Sequence, residues 1–427
     1  LKVLPDVLSW FVGLLYTLLC GTLVFLPGDD SRVGDHEAAQ KVNDCHARPL
    51  EQDVTLTLRG GGPPDSKVQD DSPRLLPAPR WSEDPIESLT FQTDHDLQKF
   101  VEQVKLLLQR ELCDRRYNTM GNLLHFYRSY CGQAKPESLE RFYCRYKPQV
   151  FEDGLSCVGL ALHLSEELVR TFPGAAPFLV SCEEMVQDVD SYCRADPPDN
   201  SSIKEHVLVG LSVSVRNRSR KGIVVLDPGY HVALPVVVME DGLPPHTGRF
   251  VQSNTSKSTK EYCYTSVPET AGRYMCWNVT EARAGSVKTW NNILYVGSDF
   301  KSALSYSEMR NLVYDFRTLV ARDKRGPTAG VYCKLAEVNR NPIFTLFYVE
   351  QGNRRELKVP FCIFSSNFLA PEPDADVEAA IEECAAQVGM DIGEMIGILS
   401  GMAELYDNVD FVTELLDLNH RVDPSDA

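Results

Sequence analysis

A cysteine nucleophile needs a thiol held where its anion is favoured, a base within hydrogen-bond reach, and a group that fixes the base's tautomer. Cys157 meets the first condition on pattern. It follows Asp153-Gly154-Leu155-Ser156 and opens an apolar stretch in which Val158, Ala161, Leu164 and Leu168 recur at helical spacing. Ser156 reads as an N-cap, which predicts Cys157 in the first turn of a helix. There the unpaired N–H groups and the helix dipole favour thiolate over thiol. The plain alternative is a buried structural cysteine, since this residue type is among the most buried. Two later segments argue against it. His206 leads Glu205–Val215, where Leu211, Val213 and Val215 alternate with serines as in a strand. Asp227 closes the apolar run Gly222–Leu226, just before a Pro228-Gly229 turn signal. The polar stretch Arg216–Lys221 between them predicts a hairpin, with His206 and Asp227 within a few residues of direct opposition. Cys157 would be the nucleophile, His206 the base and Asp227 the orienter. Backbone N–H groups at the helix start, that of Cys157 included, would meet the oxyanion of an acyl intermediate. His231 is the competing base, and His163 reads as an ordinary residue of the helix that Cys157 opens.

The order of these motifs resembles the transglutaminase-like branch of the papain-type cysteine enzymes. Within it, Leu226-Asp227-Pro228-Gly229-Tyr230 followed by Ala233-Leu234-Pro235-Val236 is similar to the Asp-containing strand of arylamine N-acetyltransferases and the segment after it. The resemblance spans roughly residues 85–365 and implies a catalytic Cys157–His206–Asp227 triad, acetyl-CoA as acyl donor, a small-molecule amine acceptor and no metal. Where those enzymes carry Arg-Gly-Gly, this chain has Asp153-Gly154-Leu155, and their N-terminal Pro-Phe-Glu-Asn element is not visible. A transglutaminase-like peptidase or amidase would use the same three residues. A catalytically silent binding module on the same fold is the non-enzymatic alternative.

Composition narrows the field. A net charge of −17 disfavours a nucleic-acid partner, which would ask for a basic footprint. The 13 cysteines include no Cys-x-x-Cys pair, so a zinc ribbon or finger is unsupported. Sequons at Asn200, Asn217, Asn254 and Asn278 matter only if the chain is exported. The chain begins with Leu1, which reads as an incomplete N-terminus.

The elements that must position the site follow in order. Residues 1–27 hold an apolar stretch, 7–26, about as long as the ~20 residues a membrane-spanning helix needs. It suggests a membrane anchor, so the expected location is cytoplasmic or membrane-anchored. Residues 28–85, with Gly60-Gly61-Gly62-Pro63-Pro64 and Asp70-Asp71-Ser72-Pro73, read as a disordered linker. Thr93-Asp94-His95-Asp96 fits a capping box, and Leu97, Phe100, Val104, Leu107 and Leu108 continue as a helix. Met120, Leu123, Leu124 and Tyr127 mark a second, giving an N-terminal helical lobe that leads into Cys157. Short strands are expected at Phe178–Cys182, Val236–Met239, Tyr262–Tyr264 and Tyr274–Trp277. Ser305-Tyr306-Ser307-Glu308 reads as another capping box, starting a helix through Phe316. Strands at Ala329–Leu335, Ile343–Val349 and Glu356–Phe364 close the catalytic domain, expected over 86–365. The 366–427 tail carries no Lys or Arg from Pro371 to Leu418, and two apolar helical faces within it suggest a pair of helices packed on the body. The other reading of the tail is an acidic docking segment for a basic protein partner. The fold class expected is α+β: a papain/transglutaminase-like core with an N-terminal helical lobe, a central antiparallel sheet or barrel, and C-terminal helices.

Overall fold

Thr93 opens the first long helix as a true capping box, its hydroxyl accepting from Asp96 N–H while the Asp96 carboxylate accepts from Thr93 N–H. That helix, α1 (Asp94–Asp114), buries Leu97, Val104, Leu107, Leu108 and Leu112 on one stripe. The computed structural model describes residues 75–199, 203–255, 258–335, 342–364 and 375–423. The apolar stretch 7–26, the linker up to residue 74, the sequon at Asn200, the turn at 339–341 and Pro371–Pro373 lie outside the described residues. No helix among the described residues is long and apolar enough to cross a membrane.

After α1 and the short β2 (Tyr117–Asn118) come α2 (Thr119–Cys131), α3 (Leu139–Arg145), α4 (Cys157–Thr171) and the single turn α5 (Val189–Tyr192). The larger sheet has nine strands. Eight run in the order Val236–Met239 (β6), Arg220–Leu226 (β5), His206–Val215 (β4), Phe178–Glu183 (β3), Ser286–Tyr295 (β10), Tyr274–Arg283 (β9), Ser258–Ser266 (β8) and Arg249–Asn254 (β7). The ninth, β1 (Ser88–Phe91), lies parallel to the later half of β4; all other pairings are antiparallel. The smaller sheet runs β14 (Asn353–Pro360), β13 (Ile343–Glu350), β12 (Gly326–Lys334), β11 (Phe316–Asp323), β2. The fold is thus mixed α+β, with a curled antiparallel sheet and C-terminal helices.

Strand β4 organises the site because its alternation sorts two cores. Val207, Val209, Leu211, Val213 and Val215 face α4 and α1, packing with Val158, Ala161, Leu164 and Leu168. Leu208 faces the other side, into an aromatic interior with Tyr262, Tyr264 and Trp277. His206 belongs to that second row by parity.

Several expectations need correction. Arg220 and Lys221 belong to β5 rather than to the turn, which is a short 3-10 stretch at Arg216–Arg218 closed by Ser219 in the left-handed region at φ 50°. The short strands expected between 242 and 298 are four strands of six to ten residues. Ser305 is not an N-cap: Ala303–Glu308 forms a π-helical turn, a short helix α6 (Met309–Val313) follows, and Phe316 starts β11. The Glu308 side chain reaches Ser156 and Asn122 instead of the N–H groups of its own turn. The linker expectation overruns, since Arg80 N–H donates to Ser302 Oγ and Trp81 bridges Phe300. The tail holds α7 (Ala375–Val388) in addition to the expected pair, α8 (Ile392–Asp407) and α9 (Val409–Val422), which Asn408 separates as the cap of α9. Their Cys384, Met395, Met402, Phe411 and Leu415 share one core with Met120, Phe126, Leu319 and Phe344, so the helices complete the smaller sheet.

Candidate functional site

Ser156 Oγ accepts from Val158 N–H at 3.1 Å and from Gly159 N–H at 3.5 Å, and donates to Glu308. That cap sets Cys157 as the first residue of α4 and leaves the Cys157 N–H without a partner among the described residues. Glu308 is itself buried and is pushed up to about 7, mainly by desolvation, which outweighs the lowering by Ser156, Arg317 and Asn122. The hinge under the helix start is tight as well. A Cβ on Gly121 would stand 2.1 Å from Asp153 O, and one on Gly154 would stand 2.3 Å from Asn122 Oδ1. The loop that delivers Cys157 therefore lies directly on α2.

His206 is the first residue of β4, and its cross-strand partner on β3 is Cys182. Asp227 follows the last residue of β5. The pairing Val209 with Leu226 leaves His206 and Asp227 two positions out of direct register, close enough for side chains to meet. His206 Nε2 lies 3.1 Å from Asp227 Oδ1, which also accepts from Tyr230 N–H at 2.9 Å. Asp227 Oδ2 is buried and has no partner among the described residues. Cys157 closes the group. A Cβ placed on Gly229 would stand 2.7 Å from Cys157 Cβ and 2.8 Å from His206 Cε1, so both side chains flank one glycine. With Nε2 turned to Asp227, Nδ1 is the ring nitrogen left for sulfur. Exposure is 5% for Cys157 and 2% for each of His206 and Asp227, so the three side chains meet in a largely dry place.

Burial would depress the His206 imidazole; the Asp227 charge, the Asp227 hydrogen bond and the Cys157 side chain overcome it, and the ring is held well above its ordinary value. His231 goes the other way: burial, then Arg322, then His206 push it well below. Its Nδ1 lies 3.1 Å from Arg322 Nη1, and its ring meets Tyr117 edge-on at 5.9 Å. A neutral His231 occupied by Arg322 lines the site without competing for the sulfur. His163 points to Glu152 at 3.2 Å, away from the triad.

Five further groups surround the site. Tyr230 OH donates to both Glu184 oxygens, at 2.5 and 2.6 Å, and its ring packs edge-on against His206 at 4.6 Å. Glu205 Oε1 accepts from Glu184 N–H at 3.0 Å. Both carboxyl groups are raised, first by desolvation. Asn311, on α6, donates its side-chain amide to Cys157 Sγ at 3.5 Å and to Glu205 O at 3.4 Å. Trp277 packs against Tyr230 and His206, at 5.2 and 6.4 Å. Glu205, Tyr230 and Trp277 lie in stretches already singled out from the sequence, none of them as a site residue. Asn311 is 154 residues beyond Cys157 and carried no local signal. A cavity of about 400 Å³ opens on the same face of β4 beside Ser212 and Ser214. It begins six residues along the strand from His206, ~20 Å away at strand rise.

Among the described residues, no group of three or more His, Cys, Asp or Glu side chains is placed to hold a metal ion. In comparisons with protein-family models, with curated proteins and with solved structures, the chain matches none.

Proposed function

We propose that the chain is a thiol-dependent acyltransferase of papain/transglutaminase type, working through an acyl-cysteine intermediate on Cys157. The observation that carries this reading is the convergence of Cys157, at a capped helix start, on a buried imidazole whose far nitrogen sits 3.1 Å from Asp227. The motif order supports the same branch. A structural cysteine would have no need of a charged ring held above its ordinary value in a dry interior, a costly arrangement unless it is used.

In the first half-reaction, Cys157 Sγ bonds to the carbonyl carbon of the donor and the π pair moves onto oxygen. Collapse of that intermediate expels the donor's thiolate or alkoxide, which takes a proton from the His206 imidazolium. In the second half, His206 accepts a proton from the amine acceptor as its nitrogen attacks the thioester, and the thiolate of Cys157 leaves. Asp227 keeps the ring oriented throughout. Acetyl-CoA is the donor that the resemblance implies, and a small amine the acceptor; with an amide as donor, whose amine leaves with the proton from His206, and water as acceptor, the same site is an amidase or peptidase.

The test is intact-protein mass spectrometry after brief exposure to acetyl-CoA and, separately, to p-nitrophenyl acetate, with a Cys157→Ala control. One acetyl group on the wild type and none on the variant is the expected result. Failure of both donors to load Cys157, in protein shown to be folded, would leave the silent binding module as the better reading.

A further inference from the structure

Asn311 stands where no motif placed it. It is on α6, directly after the π-helical turn that delivers Glu308 to Ser156. Its Nδ2 is shared between Cys157 Sγ at 3.5 Å and the carbonyl of Glu205 at 3.4 Å. The contact with the carbonyl is long for an amide donor, and the contact with sulfur, though of ordinary length for N–H···S, is to a weak acceptor, so neither holds the group tightly. The backbone behind it is fixed: the Asn311 carbonyl accepts from Arg317 Nη1 at 3.0 Å, and the next carbonyl, of Leu312, accepts from Nη2 of the same buried side chain. Arg310, one residue earlier, pairs with Asp423 at 2.7 Å. The amide is therefore rigidly mounted and loosely engaged.

A second donor stands on the nucleophile residue itself. Cys157 N–H is unpartnered among the described residues, because Ser156 caps the two residues after it. An acyl carbon bonded to Sγ carries its oxygen within about 3 Å of the sulfur, and a donor already in contact with Sγ is placed to reach that oxygen.

Building on the acyl-cysteine reading, we propose that Asn311 Nδ2 and Cys157 N–H together form the oxyanion hole. When the thiolate attacks, negative charge moves from sulfur to the carbonyl oxygen. The Asn311 amide follows it, exchanging its contact with sulfur for a shorter one with oxygen. Asn311 is then a catalytic residue, because it touches the reacting atoms, and its contribution is confined to steps that make an oxyanion.

That restriction supplies the test. Acylation by p-nitrophenyl acetate passes through a tetrahedral oxyanion; alkylation by iodoacetamide is a displacement at carbon and does not. Asn311→Ala, and the near-isosteric Asn311→Leu in case alanine loosens α6, are compared with wild type in both reactions. Thermal melting is recorded for each. The expected result is a loss of acylation rate of about 10²- to 10³-fold, with alkylation within about threefold of wild type. Equal losses in both reactions would mean that Asn311 merely supports the thiolate, and would overturn the proposal. So would unchanged acylation in either folded variant. A wild-type protein that alkylates at Cys157 but never acylates would overturn the acyl-transfer reading itself, and the oxyanion hole with it.

Discussion

Glu308 holds Ser156, the N-cap of α4, and its burial gives that support a pH dependence. Its carboxyl group, ordinarily near 4.5, is pushed up to about 7, chiefly by desolvation. The unfolded chain releases this proton at about 4.5 while the folded chain keeps it to about 7. Between those values the folded state binds more protons, so stability falls as pH rises through that window and is level above it. At 1.36 kcal/mol per pH unit, the span amounts to about 3 kcal/mol at neutral pH. Glu308→Gln removes the titration while keeping the size of the side chain and an oxygen for Ser156. Urea unfolding of both proteins at pH 5, 6, 7 and 8 gives the difference in stability at each pH. That difference should swing in favour of the variant by roughly 2–3 kcal/mol from pH 5 to pH 8. Parallel curves, with the difference constant to about 0.5 kcal/mol, would refute the idea that a desolvated carboxyl supports the cap.

Asp227→Asn removes the charge that outweighs burial at His206, so the imidazole should fall below its ordinary value. Alkylation of Cys157 at pH 6 should slow, with labelling shifted to alkaline pH, and turnover should drop by up to ~10⁴-fold by analogy with serine triads; a pH profile matching wild type would contradict this. Gly229→Ala forces a methyl group between Cys157 Cβ and His206 Cε1. Acylation should fall by about 10²-fold with a stability cost of about 1–3 kcal/mol, as read by ester hydrolysis and by melting. Asp423→Ala strips the carboxylate from the buried Arg310 at the start of α6. It should cost about 3–5 kcal/mol in urea unfolding; a loss under 1 kcal/mol would show that the pair does not brace the helix.

What could be read from sequence was what local chemistry encodes. Ser156 is a cap because its hydroxyl is one residue from the helix it starts. The β4–β5 hairpin is visible because serines alternate with apolar residues, and Asp227 is visible because Pro228 and Gly229 end the strand. The missed features depend on distant partners. Strand β11 hid because Arg317 and Arg322, both nearly fully buried, interrupt its apolar pattern. Their Nη groups donate to the carbonyls of residues 311, 312, 228 and 115, which no window along the chain reveals. Glu308 resembled the last residue of a capping box, and spacing could not show that it serves Ser156, 152 residues away. Asn311 was illegible for the same reason. In the tail, the two apolar faces correspond to α8 and α9, separated where the Asn408 side chain accepts from Phe411 N–H, and the helix missed is α7, whose buried stripe is largely small residues, Ala380, Cys384 and Ala385 among them.

The most direct measurement is peptide-mapped labelling with limiting iodoacetamide at pH 6. An ordinary thiol is only about 0.3% ionised there, so exposed cysteines react slowly. If Cys157 is the nucleophile that His206 activates, it should be modified ahead of the exposed Cys113, Cys131 and Cys144, despite its burial. His206→Ala should abolish that lead. Labelling of the exposed cysteines first, with Cys157 untouched until the protein is unfolded, would show that Cys157 is a core residue and contradict the account.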